Sequence, residues 1–426
     1  MQFFPPGKFR RLSTILVAMT LVALLTFWIL RTYLAERAGQ KPALSSLQFA
    51  ARLDPSNSDY QLRLGRFYEY DPAHTDPGQA MAHLERAVEL NPYDPQTWLE
   101  LGAAHEFQGQ TGQAEACLRR ADFLAPNLPP VQWAIANFFL LHGNVDEAFR
   151  HFKVVLAGST RYNQVIFDTA WKASGDGGKI LQELVPERVG PEFDYLAYLL
   201  SHHNFGDAQS VWKRIVTNSE SFRAAQAAGY IDGLIGAHRP AEAYQAWNDL
   251  RTKGLIAPTY AQTGQNLALN GDFEEPPLGF GFDWRLGRTD GAYATLDRTA
   301  FRSPSHSVLV QFAGTHNVNY ESVFEFVRVA PNRSYRLQGF MRTEGITTDS
   351  GPRLRVRDAY DPRILDAFSE DLKGDSRGWA SVLLDFKTAP QTDLIAIVVS
   401  RLPSRKLDNQ IAGKVWVDDV SVAPLP

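Results

Sequence analysis

At 426 residues the chain exceeds one ordinary domain and predicts two or three. Its formal net charge of −4 excludes the basic footprint of a nucleic-acid binder. The single cysteine, Cys117, excludes an intrachain disulfide and a thiolate zinc cluster, and reads as a small buried hydrophobe rather than a reactive thiol.

The first element is apolar. Between Arg11 and Arg31 lie nineteen uncharged residues, Leu12 to Leu30, rich in Leu, Val, Ile and Ala. As a helix they reach about 28 Å, close to the hydrocarbon thickness of a bilayer. Trp28 and Tyr33 fall near the far end, where amphipathic rings favour the interface. Lys8, Arg10 and Arg11 precede the span, whereas Arg31, Glu36 and Arg37 follow it, a bias toward an inside amino terminus. A cleaved secretory signal is the alternative, but the run is long for one and no A-x-A site follows. Residues 1–38 therefore read as a short cytoplasmic end plus an uncleaved single-pass anchor. The bulk of the chain is placed outside the cytoplasmic membrane, in a periplasmic setting.

Residues 41–260 read as helical repeats. Trp98, Leu101, Gly102 and His105 recur at helical spacing, followed by Ala114, Leu118, Ala121 and Pro126. Ala80, Leu84, Ala87 and Pro92 repeat the second half 34 residues earlier, and Ala148, Phe152 and Val155 repeat it 34 residues later. This order resembles the tetratricopeptide (TPR) pattern W-x2-L-G-x2-Y, A-x3-F-x2-A, P, with His105 in the Tyr place. One such hairpin cannot bury its apolar face alone and requires neighbours. The units are clear over 44–157 and degenerate over 160–255, where Ala208, Trp212 and Ile215 precede Ala243, Trp247 and Leu250 by 35. About six hairpins in a right-handed superhelix are expected. The resemblance implies a protein partner on the concave face of the first helices. In the best repeat that face comprises Gln96, Leu99, Ala103 and Glu106. The alternative is an array that only spaces the following domain from the membrane.

At Gly264 the texture changes to short alternating runs bounded by Gly, Pro, Asn and Asp. Strands are expected near Leu267–Phe273 and over Ser307–Phe312, Ser322–Val329, Ser334–Arg342, Arg353–Arg357, Ala380–Phe386, Leu394–Ser400 and Lys414–Val422. Residues 265–426 are thus an all-β sandwich. The segment opens Asn270-Gly271-Asp272-Phe273-Glu274, followed by Trp284, and closes Trp416-Val417-Asp418-Asp419-Val420. It resembles the galactose-binding-like jelly roll of carbohydrate-binding modules, in the group containing families 4, 9 and 22. That resemblance implies a structural calcium ion held by Glu274 and Asp418, because calcium suits hard oxygen ligands. The alternative is that Asp272 and Asp418 cap turns through backbone amides. It also implies a glycan site, with Trp284, Trp379 and Trp416 in core places.

Sugar recognition combines aromatic faces with a few polar side chains. Loop aromatics Phe280, Phe282, Tyr293, Tyr320 and Tyr360 are the platform candidates. Arg336, Gln338, Phe340 and Arg342 share one strand face, as do Arg353, Arg355 and Arg357. If these strands are neighbours they make a cationic face suited to a uronate or sulfate. Tyr320, Gln338, Arg342, Arg355 and Tyr360 are the expected carbohydrate-binding residues. Glu321 and Glu325, four apart in one strand, stand about 13 Å apart on one face, too far to flank a glycosidic bond. With no G-x-S-x-G, H-E-x-x-H or Walker motif, no enzyme is expected. The expectation is a membrane-anchored scaffold whose array binds a protein and whose sandwich binds an envelope or exported polysaccharide. A purely protein-binding scaffold is the alternative.

Overall fold

The computed structural model describes residues 6–263 and 265–426. Met1–Pro5, at the start of the expected cytoplasmic end, and Gly264, where the texture changes, lie outside the described residues. Contacts divide the chain into two compact units, one ending at Pro186 and one running from Glu187 to Pro426.

The first unit contains α1 (Pro6–Gly39), α2 (Leu44–Leu53), α3 (Ser58–Tyr70), α4 (Pro77–Leu90), α5 (Pro95–Phe107), α6 (Thr111–Leu124), α7 (Pro129–Leu141), α8 (Val145–Gly158), α9 (Asn163–Ser174) and α10 (Gly177–Lys179), the last continuing into a π turn over Ile180–Leu184. The starts of the repeat helices are written in the chain. Asn57, Asp76 and Asp94 each accept first-turn N–H groups through their side chains. Pro77, Pro95 and Pro129 occupy first-turn positions whose N–H needs no partner. The second helices α4, α6 and α8 bury Ala80, Leu84 and Ala87, then Ala114, Leu118 and Ala121, then Ala148, Phe152 and Val155, the positions that gave the 34-residue period. Trp98 is half-buried and donates Nε1–H to the Pro92 carbonyl at 3.0 Å, tying one hairpin to the previous link. Cys117 is buried, and that burial pushes its thiol up to about 11.

From Arg11 to Gly39, α1 is long and apolar enough to cross a membrane or to be a signal sequence. Its last turns also form the first helix of a hairpin. Ala35 is fully buried against Ala50 and Tyr60, with Ala38 and Leu53 packed beside them. A Cβ on Gly39 would lie 2.6 Å from the Tyr60 ring, so only glycine lets α1 approach α3 this closely. The Arg31 guanidinium donates to the Leu53 carbonyl, closing α2 back onto α1.

The second unit begins with α11 (Val189–Ser201), α12 (Phe205–Thr217), a 3-10 turn at Ala224–Ala227, α13 (Ala228–Gly236) and α14 (Pro240–Thr252). Trp212 donates Nε1–H to Asp249 at 2.8 Å, linking α12 to α14. The sandwich follows: β1 (Arg285–Leu286), β2 (Arg288–Thr289), β3 (Ala292–Asp297), β4 (Ser307–Ala313), β5 (Tyr320–Arg328), β6 (Ser334–Glu344), β7 (Arg353–Asp358), β8 (Asp366–Phe368), β9 (Ala380–Lys387), β10 (Leu394–Arg401) and β11 (Ala412–Pro424). Five strands run in the order β1-β5-β10-β7-β8 and six in the order β2-β3-β4-β11-β6-β9, every neighbour antiparallel. Their inner faces share a core including Trp284, Val310, Leu337, Ile397 and Val417.

The expected entry strand at Leu267–Phe273 does not form. Asn270 and Phe273 take left-handed φ values of 47° and 55°, which break the extended run. The segment still clips onto β11, because Leu267 N–H donates to Val422 O and Val420 N–H donates to Gly271 O, both at 2.8 Å. A Cβ on Gly271 would fall 1.9 Å from the Val420 carbonyl oxygen, and backbone cannot yield there. Gly271→Ala is expected to cost the sandwich roughly 3 kcal/mol, read as a lower denaturant midpoint at unchanged slope.

Candidate functional site

Three surfaces compete, and the repeat array supplies the first. α3, α5 and α7 are successive first helices, and each ends on a large apolar residue turned to solvent. Tyr70 is 61% exposed, Phe107 76% and Leu141 73%, so the same position escapes burial three times. Between the first two lies a cleft of about 160 Å³ lined chiefly by Tyr68, Tyr70, Pro77, Ala80, Ala104 and Phe107. The residue before each aromatic is acidic. Glu69 and Glu106 each keep one buried carboxylate oxygen without a hydrogen-bond partner. Burial pushes Glu69 up, and the Glu100 charge adds to that. Glu100 itself takes Arg66 at 2.6 Å, a bridge from α5 to α3.

Of the four expected groove residues, Gln96 and Ala103 are exposed, and Gln96 donates to Glu100 at 3.0 Å. Glu106 pairs with His142 of the next repeat at 2.9 Å. Leu99 is buried and serves packing instead. Tyr70, Phe107 and Leu141 were not among the expected groove residues. Their signal was a large apolar residue at the last helical position before each polar link.

The sandwich offers two outer faces, and the Arg-bearing strands are not neighbours. β6 lies in the six-stranded sheet and β7 in the five-stranded one, so the expected joint cationic face does not exist. On the five-stranded sheet two of the three arginines of β7 are already paired, and Arg357 keeps a buried Nε without a hydrogen-bond partner. Arg353 pairs with Asp371 at 3.2 Å, and Arg355 is buried between Asp366, at 2.6 Å, and Glu321. Tyr320 is fully buried in the core with its hydroxyl donating to the Gly287 carbonyl, so it presents no face to a sugar. Tyr360 stacks on His238 with ring centres 3.9 Å apart. Phe280 and Phe282 are buried against Trp247 of α14, and among the platform candidates Tyr293 remains exposed. Trp284 is in the core as expected, whereas Trp416 is buried on the outer sheet face beneath Arg342 and Trp379 is half-buried outside the core.

Glu321 and Glu325 do not share a face. Between Tyr320 and Val323, β5 carries one residue more than its partner β10, a bulge that turns Glu321 outward and Glu325 inward. Glu325 is wholly buried, accepts the Leu269 N–H at 2.6 Å and leaves Oε2 unpartnered. Burial drives its acid well above the usual carboxylate range. Burial also pushes nearby Asp283 up to about 6 against hydrogen bonds from Leu278 and Trp284.

On the six-stranded sheet, Arg336, Gln338, Phe340 and Arg342 do share the outer face. Arg336 is paired with Asp385 at 2.6 Å, and Arg342 lies over the Trp416 ring. Gln338 and Phe340 line a recess of about 590 Å³ with Asn270, Asp272, Arg302 and Ser421. Arg302 lies over Phe340, 3.6 Å from the ring centre, and pairs with Asp419. Asp419, at φ 48°, and Asn270 put two left-handed residues in the lining.

Glu274 and Asp418 belong to one device. Asp418 accepts the N–H groups of Arg302 and Ser303 at 2.7 and 3.1 Å, and Glu274 accepts those of Ser305 and His306, both at 2.9 Å. Both carboxylates therefore grip the loop between β3 and β4. Among the described residues no group of three or more His, Cys, Asp or Glu side chains gathers for a metal. Oxygens committed to N–H donors do not make the oxygen cage calcium needs, so the donor set does not fit the ion. Burial works to raise Glu274, but the Ser305 and His306 bonds outweigh it and hold its acid near 2. For Asp418 burial prevails and lifts it to about 6.

A tetratricopeptide repeat family model matches residues 73–138. No curated protein matches the chain. Among solved structures, it is similar to the enzymatically active domain of tailspike protein 4 of bacteriophage CBA120, at 14% identity and a TM-score of 0.27, over 38% of this chain and 21% of that one. It is similar to PilW, a type IV pilus biogenesis factor, at 19% identity and a TM-score of 0.26, over 47% of this chain and 94% of that one. A CBM4 structure is matched at 14% identity and a TM-score of 0.26, over 37% of this chain and 99% of that one. The chain thus combines tetratricopeptide repeats, a two-sheet β-sandwich and one apolar helix.

Two titrations follow. Glu274 is depressed in the fold, so its contribution is present above pH 4.5 and lost as pH falls toward 2. Glu274→Gln should lower the melting temperature at pH 7 and flatten that acid limb, while chelator leaves the wild-type melting temperature unchanged. Glu325 is raised, so its contribution is present at low pH and lost as pH rises. Glu325→Gln should therefore raise the melting temperature more at pH 8 than at pH 5, in the same thermal scans.

Proposed function

We propose that the chain is a membrane-anchored, extracytoplasmic scaffold whose repeat array captures a protein partner. The observation that carries this reading is the row of Tyr70, Phe107 and Leu141, exposed at the same position of three successive first helices. Solvent-facing apolar residues scattered singly need no explanation, whereas a repeated row beside an apolar cleft is what a partner would cover. Retention of the anchor is supported by the burial of Ala35 and the close approach of Gly39 to Tyr60. Cleavage beyond Gly39 would remove both residues from the first hairpin and expose Ala50 and Tyr60. The excess of Lys8, Arg10 and Arg11 ahead of the span supports an inside amino terminus.

The sandwich, in this proposal, touches an envelope or exported polysaccharide at the recess holding Gln338 and Phe340, in the assembly or export of that polymer. Its volume suits a short stretch of glycan, and its lining is mostly polar. The purely protein-binding alternative is favoured by one specific fact: Tyr320, Arg355 and Tyr360 are already engaged within the fold.

Phe107→Ala should reduce partner capture by the full chain about tenfold with a change in melting temperature within a few degrees. Cross-linking in membranes, followed by quantification of the captured protein, reads the first; equal capture by the variant sinks the groove. Affinity electrophoresis on acidic and neutral polysaccharides tests the second. Retardation abolished by Gln338→Ala is the expected result, and no retardation on any polymer leaves the protein-only scaffold.

A further inference from the structure

A second recess, of about 290 Å³, opens where α1 leaves its apolar stretch. It is lined by Leu34, Arg37, Ala38, Lys41, Ser45, Ser46 and Phe49. Its chemistry is mixed in an unusual way for a water-facing surface. Two cations, Arg37 and Lys41, meet exposed Leu34 and Phe49, with two serine hydroxyls between them. Among the described residues neither cation has an ion-pair partner, and Arg37 reaches only the Tyr33 hydroxyl, at 3.2 Å. The one acid on this stretch, Glu36, does not line the recess.

Position decides what such a recess meets. If the apolar run ends at Leu30, the hydrocarbon boundary lies beside Arg31, and Arg31 holds the Leu53 end of α2 at the same level. Arg37 then stands about 9 Å beyond that boundary along α1, and a headgroup layer is about 5–7 Å deep. A guanidinium on its flexible stem spans the difference. Phe49, one turn before Leu53 on the returning helix α2, brings an exposed ring to the same depth, where aromatic side chains favour the interface.

We infer that this recess binds the phosphate of an anionic phospholipid, with Arg37 and Lys41 on the phosphate, Ser45 and Ser46 within reach of its glycerol side, and Leu34 and Phe49 against the upper acyl chain. The inference rests on the anchored reading of α1. Because α1 passes without a break into the array, an occupied recess also fixes the rotation of the first hairpin about the membrane normal.

The test uses the full chain. Native mass spectrometry from mixed micelles or nanodiscs counts phosphatidylglycerol and phosphatidylcholine retained on it. About tenfold preference for phosphatidylglycerol is expected, falling to parity in Arg37→Gln/Lys41→Gln. Glu36→Gln, beside the recess but not lining it, should keep the preference. Equal retention of the two lipids by the wild-type chain, or a preference unchanged in the double variant, overturns the site. Displacement of the lipid by inorganic phosphate alone overturns a lipid as the source. Both substituted side chains are exposed, and an unchanged melting temperature verifies that the variant folds. Alkaline extraction of the same membranes reports separately on the anchor: release of the wild-type chain defeats the anchored reading itself.

Discussion

The continuity of α1 constrains everything that follows it in the first unit. An α-helix has no hinge of its own, and here one helix is apolar and exposed over Leu12–Leu30 and packed with small residues over Ala35–Gly39. Gly39 leaves no room for a side chain against Tyr60 of α3, and Ala35 is fully buried beside Ala50 of α2. The repeat array therefore continues directly from the apolar stretch of α1, without a flexible linker between them. A partner held on the array would be held at a set height and bearing relative to α1, which a tether of Gly and Ser would not achieve.

A comparable economy joins the last helical pair to the sandwich within the second unit. Trp247 of α14 is fully buried, donates to the Tyr260 carbonyl at 3.1 Å and meets Phe280 and Phe282 edge to face. Asp232 of α13 accepts both the Gly281 N–H and Arg285, at 2.8 and 2.7 Å. The residues that looked like free loop aromatics are thus the mortar of an intramolecular joint. Divergence of the last helical pair from the 34-residue pattern has a physical reason here: its outer surface packs against sandwich loops rather than another hairpin.

The motif pair that marks the ends of the sandwich is also architectural. Gly271 is where two backbones touch, and Asp418 and Glu274 hold a loop by its N–H groups, beside the recess that Gly271 and Glu274 help to line. Residue types that suggest a metal centre in one dimension turn out to be hydrogen-bond acceptors for a neighbouring loop. The same carboxylate can do either, and its donors decide which.

The sequence by itself determined the fold class of each segment and its longer strands, because those depend on local periods; it missed β1, β2, β3 and β8 and placed a strand at 267–273 that does not form. Alternation of two marked β4, β5, β6, β7, β9 and β11, a continuous apolar run marked β10, recurrence at 34 marked the second helices, and nineteen uncharged residues marked the apolar stretch of α1. The matching of Arg336, Gln338, Phe340 and Arg342 to one face was legible for the same reason. Only the tertiary structure decided which side chains remain available. A bulge of one residue in β5 sent Glu321 and Glu325 to opposite faces, sheet order separated the arginines of β6 from those of β7, and the joint with α14 buried Phe280 and Phe282. Leu99, counted toward the groove, went into the core, while Phe107 at the end of the same helix stayed out. Exposure and partnership are set by segments distant in the chain, and no local period carries that information.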